Sequence, residues 1–364
     1  MKVNIFRKIF LRLLLSIIFF SIICFSILLL IRFYAQKSLI KSTRINSVNG
    51  IDKIESVNLN GFEQNILIRS ENINNPVLLF LHGGISTVAM PLSRNYENEL
   101  VKHFTLVHWD RKGAGKSYRA GITEASMSID SQVKDAVKLT EYLIKRFNTG
   151  KIYLLGLSFG STIGLKAVHD NPDYYFAYIG VGQIVNAKRA EEISYDFTFE
   201  KALTESNRNA VKALEEIGKP PYDSYQELLE QRKWLKKMGG DSRKFKNYRF
   251  LKWKAFCSPD YSLWEVWKTF KGLKYERELF WDQYRNIDLF KTVKSIDVPV
   301  YFMGGRFDYK VPSVLAEEYL RFLICPQKEF IWFESSGHAL NYEEPELFQS
   351  VIIGKVLKET KITR

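Results

Sequence analysis

Cysteine is scarce in this chain and histidine nearly so, with three cysteines and five histidines in 364 residues. Cys24, Cys257 and Cys325 form no C-x-x-C pair or zinc knuckle, so neither a disulfide framework nor a metal site is expected. Internal repeats are also absent, which sets aside solenoid architectures. Acidic residues are missing from the first 44 positions, where Lys2, Arg7, Lys8, Arg12, Arg32, Lys37, Lys41 and Arg44 stand without an Asp or Glu. That segment supplies most of the formal net charge of +13. The remainder is ordinary in charge and gives no reason to expect a nucleic-acid partner. With 46% hydrophobic and 26% charged residues, the chain can bury a large core.

What the N-terminus does have is an unbroken run from Leu13 to Ile31 without a charge, long enough to cross a hydrocarbon core of ~30 Å. A cleavable signal peptide is the rival reading, but its apolar core is usually shorter, and no small-x-small cleavage site precedes Arg32. The run is therefore read as a single-pass anchor in membrane lipid. Basic residues flank both ends, and the free amine tips the balance towards an extracytoplasmic catalytic domain.

Beyond the anchor (1–34) and an expected polar linker (35–53), β-rich apolar runs recur at Ile66–Ile68, Val77–Leu81, Phe104–Trp109, Ile152–Leu157, Tyr175–Val181, Val298–Met303 and Phe330–Phe333. A helical period fills Ser131–Phe147. Such alternation implies an α/β fold, a mostly parallel sheet flanked by helices. It stops between 184 and 292, which reads as an inserted helical cap dividing a core of 54–183 and 293–364. The cap aromatics Tyr222, Tyr225, Trp264, Trp267 and Trp281 are expected to shape an apolar pocket.

Gly156-Leu157-Ser158-Phe159-Gly160 follows one apolar run directly and precedes a helix-like stretch. A strand, sharp turn and helix in this order expose a serine hydroxyl at the edge of a sheet, and the glycines make room for the turn. His82-Gly83-Gly84 ends an earlier strand, where backbone N–H groups of Gly83 or Gly84, with that of Phe159, could receive a developing oxyanion. His82 itself is read as orienting that loop. An acid and a base should follow the serine in the chain. Asp308 lies just past Val298–Met303, and His338 just past Phe330–Phe333. Glu334 is a distant alternative acid, and His103, His108 and His169 read as structural. Ser158, Asp308 and His338 thus form the expected catalytic triad, with no cofactor.

Two patterns mislead. Gly113-Ala114-Gly115-Lys116-Ser117 resembles the end of a phosphate-binding loop, but Asp110 occupies the position of the required first glycine. The stretch Arg232–Lys254, dense in Lys, Arg and aromatics, is compatible with nucleic acid, with anionic lipid, or most simply with a solvated face.

These marks together resemble the α/β-hydrolase superfamily, and within it the prolyl aminopeptidase group of serine peptidases. The resemblance rests on His82-Gly83-Gly84, the run Asp110–Ser117, the Ser158 elbow, and the late Asp308 and His338. It covers roughly residues 55–182 and 293–357. It implies cleavage of an ester or amide bond in a small-molecule or short-peptide substrate. It also implies cap glutamates that hold a free amine, for which Glu191 and Glu192 are the nearest candidates, an ordinary exposed helix pair being the alternative. The family's glycine pair is usually followed by Pro-Gly, here Ile85-Ser86, and its elbow usually carries Gly and Trp around the serine, here Leu157 and Phe159. A membrane-side carboxylesterase or lipase, and a catalytically silent binding module, remain the competing readings. The sequence leaves the oligomeric state open.

Overall fold

The computed structural model describes residues 2–84, 88–119, 122, 124–245 and 247–360. Ile85, Ser86 and Lys246 lie outside the described residues. The first element is one helix, Lys2–Ser42, 41 residues long. Its portion Ile9–Ser42 is long and apolar enough, by length and composition, to cross a membrane.

The expected linker over 35–53 is divided between two elements. Gln36, Lys37 and Lys41 are good helix formers, so the helix runs on to Ser42. Gln36 Nε2 also donates to Ser258 O (2.8 Å), holding that turn against the body of the protein. After a short turn, strand β1 (Ile51–Leu59) begins. It forms a hairpin with β2 (Phe62–Ser70), in which Leu59 pairs with Phe62 across Asn60-Gly61. Both turn residues have positive φ, 51° and 88°, which Asn and Gly tolerate best.

Six further strands follow: β3 (Val77–Leu81), β4 (Thr105–Asp110), β5 (Ile152–Leu157), β6 (Tyr175–Val181), β7 (Val300–Gly305) and β8 (Lys328–Phe333). They complete an eight-stranded sheet in the order β1-β2-β4-β3-β5-β6-β7-β8. β2 runs antiparallel to β1 and β4, and the other pairings are parallel. Parallel strands covered on both faces read as continuous apolar runs, which is why β3 is Val-Leu-Leu-Phe-Leu throughout. Its alternate side chains divide between two cores. Val77, Leu79 and Leu81 join the cluster under helices Ile129–Arg146 and Phe159–Asp170, whereas Leu78 and Phe80 join the cluster with Phe348, Ile352 and Val356.

Between β6 and β7 lie five longer helices, Ala187–Thr204, Arg208–Ile217, Tyr225–Lys237, Arg249–Phe256 and Leu263–Arg285. The first three share a small core of Tyr195, Ala202, Ala210, Leu214, Trp234 and Met238. Two start in reciprocal caps, Ser224 with Glu227 and Ser262 with Glu265, which satisfy otherwise free helix-end N–H groups.

Candidate active site

β5 and the helix Phe159–Asp170 meet at Ser158, whose backbone sits at φ 50°, ψ −121°. A non-glycine residue held there is strained, and the surroundings fix it. Ser158 N donates to Val181 O (2.8 Å). A Cβ on Gly160 would stand 2.4 Å from Leu81 O and 2.6 Å from His82 O, so only glycine lets the new helix pass this close to β3. Ser158 is thereby lifted to the C-terminal edge of the sheet, half-exposed.

Two loops at the same edge bring the expected acid and base. His338 Nε2 lies 3.0 Å from Ser158 Oγ, and His338 Nδ1 lies 2.8 Å from Asp308 Oδ2. Asp308 is buried, and its other oxygen accepts from Lys310 N (3.0 Å) and Val311 N (2.9 Å). With Oδ1 so engaged, Oδ2 is aimed at the imidazole, which favours the tautomer that leaves Nε2 free to accept from the serine. A cap loop reinforces both residues' loops: His338 N donates to Asp241 O (2.6 Å) and Tyr309 N to Gly240 O (2.9 Å).

Gly83 and Gly84 lie on the facing loop. A Cβ on Gly83 would come within 3.0 Å of Ser158 Cβ, so this backbone rests directly against the serine. Gly84 has φ 57°, a left-handed conformation natural to glycine. The loop is braced from beneath. Arg111 donates to Gly84 O (2.8 Å), to Gln132 Oε1 (3.0 Å) and to His82 Nε2 (3.3 Å). With Nε2 accepting, His82 Nδ1 donates to Gly83 O (2.9 Å). Burial and, after it, the neighbouring Arg111 charge push His82 well below the usual imidazole range, so it stays neutral. Arg111 also lies over the Phe159 ring, 5.3 Å from its centroid.

Residues 76–345 match the family described as alpha/beta hydrolase fold. The chain belongs to the α/β-hydrolase family. It is 30% identical over 302 residues to the probable aminopeptidase YbaC of Bacillus subtilis (strain 168), covering 82% of this chain and 94% of that protein. Its backbone matches a proline iminopeptidase-related protein from Thermus thermophilus with a TM-score of 0.58 at 18% identity, covering 83% of this chain and 98% of that one. It matches the proline iminopeptidase of Mycobacterium smegmatis with a TM-score of 0.61 at 12% identity, covering 85% and 98%. At such identities the structural likeness is one of fold.

In this α/β-hydrolase the two cap glutamates differ sharply. Glu191 is buried (5% exposed) and Glu192 is not, as consecutive positions on one helix must point apart. Glu191 Oε1 accepts from Arg232 (2.6 Å) and from Tyr284 Oη (2.8 Å). Oε2 has no protein partner, and the buried Tyr222 hydroxyl and Trp281 Nε1 are also unpartnered. Burial raises the Tyr222 hydroxyl above the usual phenol range, with the Glu191 charge adding to it. Arg232 ties this cluster to the loop of Asp308 by donating to Lys310 O (3.2 Å). Phe280, on the helix that carries Tyr284, packs edge-on against Phe159, with centroids 5.2 Å apart.

The aromatic expectation is corrected in part. Tyr222 does stand near Glu191, Trp281 stacks on Tyr284, and Tyr225 packs edge-on against Trp281. Trp264 and Trp267 instead stack on one another at the surface, 60% and 43% exposed. Their helix is apolar on two sides, so its periodicity could not say which side faces inward.

The remaining candidates take structural places. Glu334 is turned to solvent in an ion pair with Arg306. His108 is buried, hydrogen-bonded to Glu97 (2.5 Å) and stacked on Phe80, and His169 Nδ1 lies 3.0 Å from Ser295 O. Lys116, of the phosphate-loop lookalike, pairs with Glu265 (2.5 Å) and so joins sheet edge to cap. Among the described residues, no group of three His, Cys, Asp or Glu side chains is set to hold a metal ion.

Proposed function

We propose that this hydrolase is a serine hydrolase that cleaves an amide or ester bond through an acyl-enzyme on Ser158. The observation that carries the reading is the continuous relay from Ser158 Oγ through His338 to Asp308, at 3.0 and 2.8 Å. His338 would take the hydroxyl proton as Ser158 attacks the carbonyl carbon, and then give it to the departing amine or alcohol. The Asp308 carboxylate would hold the imidazolium, and the N–H groups of Phe159 and of Gly83 or Gly84 would face the oxyanion. Water would then release the acyl group by the same proton route.

Within this class the aminopeptidase reading is supported by Glu191. Its Oε2 is buried and free to accept from a substrate ammonium, and YbaC carries the name of a probable aminopeptidase. One observation favours an esterase instead: Arg232 already offsets the Glu191 charge at 2.6 Å. Hydrolysis of a proline aryl amide and of a short-chain acyl ester, measured side by side with Ser158→Ala as blank, separates the two. Faster amide cleavage, with Glu191→Gln raising KM for the amide about tenfold and leaving the ester unchanged, is the aminopeptidase result. Serine-dependent ester cleavage alone is the esterase result. No reaction of Ser158 with a fluorophosphonate would leave a binding module.

The helix Lys2–Ser42 is proposed as a retained single-pass anchor rather than a cleaved leader. Arg32, at the end of its apolar run, is buried against the body, and removal of the helix would leave the carbonyls of Phe256, Tyr261 and Ser258 without these donors. The extracytoplasmic placement is checked by protease treatment of intact cells, which should cut the catalytic domain.

A further inference from the structure

The end of the apolar helix and two cap helices meet at one place. Arg32, the first charge after the run Leu13–Ile31, donates to Phe256 O (2.8 Å) and to Tyr261 O (2.5 Å), and Gln36 donates to Ser258 O (2.8 Å). On a spanning helix, the first charge after the apolar core lies at the level of the lipid head groups. The segment 256–261 is therefore carried to the same level. It joins Arg249–Phe256 to Leu263–Arg285, so both helices start or end at the boundary between lipid and water.

Both helices turn large aromatic side chains outward here. Phe250 and Trp253 are exposed on one, and Trp264, Trp267 and Phe270 (65% exposed) on the other, spaced three residues apart along a single stripe. Exposed apolar surface of this kind, with Trp264 stacked on Trp267, marks an interaction site. The opposite side of the second helix is already engaged: Glu265 holds Lys116, Lys268 donates to Lys116 O (3.3 Å), and Val266 packs on a buried cluster. Charge points the same way. Arg249, Lys252 and Lys271 are exposed beside the rings, and no acidic residue stands between Asp241 and Asp260. Aromatic rings interleaved with cations match the chemistry of an anionic bilayer interface. Phe33 and Tyr34, exposed just after Arg32, continue the same aromatic level on the helix itself.

We propose that this face of the cap docks on the surface of the bilayer that the N-terminal helix crosses, with Trp253, Trp264 and Trp267 among the head groups and the adjacent cations against anionic lipid. The proposal rests on the reading of Lys2–Ser42 as a retained span and is independent of the reaction catalysed. It gives the enzyme a second membrane contact and fixes the orientation of the catalytic body.

The chain supplies its own reporter, because none of its seven tryptophans lies in residues 1–44 and its intrinsic fluorescence comes from the body alone. The experiment places the full-length protein in phosphatidylcholine vesicles with about a third phosphatidylglycerol, an anionic surface of the kind that draws polybasic segments. The vesicles carry lipids brominated either near the head group or at the chain end. Shallow bromines should quench the wild type more than deep ones, and Trp253→Phe/Trp264→Phe/Trp267→Phe should lose most of that quenching while remaining folded. Two results overturn the docking: vesicle-bound wild type that neither lipid quenches while aqueous iodide does, or a triple variant quenched as fully as wild type. Failure of the protein to float with vesicles would overturn the span, and the docking with it.

Discussion

The sheet edge that carries Ser158, Asp308 and His338 and the cap that covers it are built on different terms. At the edge, backbone does most of the positioning: a strained serine, glycines pressed against neighbouring carbonyls, and a carboxylate oxygen held by two N–H groups. In the cap, side chains do it, through Arg232 to Glu191, Gln231 to Ser194 and Thr198, and Arg32 to two carbonyls of the 256–261 segment. Backbone-built geometry tolerates almost no change of residue type and leaves a recognisable local pattern. Side-chain-built geometry joins residues far apart in sequence and can be rebuilt with other pairs.

The largest effect that should separate the two regions is chemical. Asp308→Asn keeps the shape of the loop but favours the wrong imidazole tautomer, and should lower kcat about 10⁴-fold with the fold unchanged by circular dichroism. An effect below tenfold would mean that another group orients His338.

Stability sharpens the comparison next. Gly160→Ala places a methyl group 2.4 Å from Leu81 O, with only the backbone of Leu81 and His82 as its nearest neighbours and nothing flexible to yield. A loss of about 3 kcal/mol or more in chemical denaturation is expected, or failure to fold. The same substitution at Gly218 in the cap, where nothing lies within 4 Å of the new Cβ, should cost less, although its backbone at φ 73°, ψ 178°, a region nearly confined to glycine, still imposes a strain of about 1 to 3 kcal/mol.

The smallest effect concerns the seam between the regions. Asp110 is fully enclosed at the end of β4, and burial raises its carboxyl to about 6, against the hydrogen bonds from Tyr261 and Lys116 N that pull it down. Between its ordinary value of 3.8 and 6, the folded chain holds a proton that the unfolded chain has released. Its contribution to stability therefore falls as pH rises through that window and levels off above it, by at most about 3 kcal/mol. Asp110→Asn should remove this slope in urea unfolding at pH 4 to 7. A slope equal to wild type would place the titration elsewhere.

Much of the edge is legible in the sequence because each piece is local. An apolar run followed at once by Ser158, Asp308 or His338 marks a strand end, and strand ends of a parallel sheet share an edge. Strand β1 escapes a search for apolar runs, which finds only Ile66–Ile68 of the hairpin, although Asn60-Gly61, flanked by alternating residues, is a strong turn signal. The cap hides its partnerships. Arg232 lies in a stretch that reads most simply as a solvated face, and nothing near it in sequence points to Glu191. Arg111 stands within a recognisable motif, but its brace on Gly84 depends on the parallel pairing of β3 with β4.

The helix Leu263–Arg285 joins these two worlds. One end carries the outward Trp264 and Trp267, and the other carries Phe280 against Phe159 and Tyr284 against Glu191. Its 23 residues make a rod about 34 Å long. Such a rod acts as a ruler: once its outer end rests at a fixed depth, Ser158 stands at a fixed height above that level. Substrates would then be sorted by reach as well as by chemistry, because a scissile bond still tethered to the lipid layer could be cut only if its stalk were long enough to arrive there.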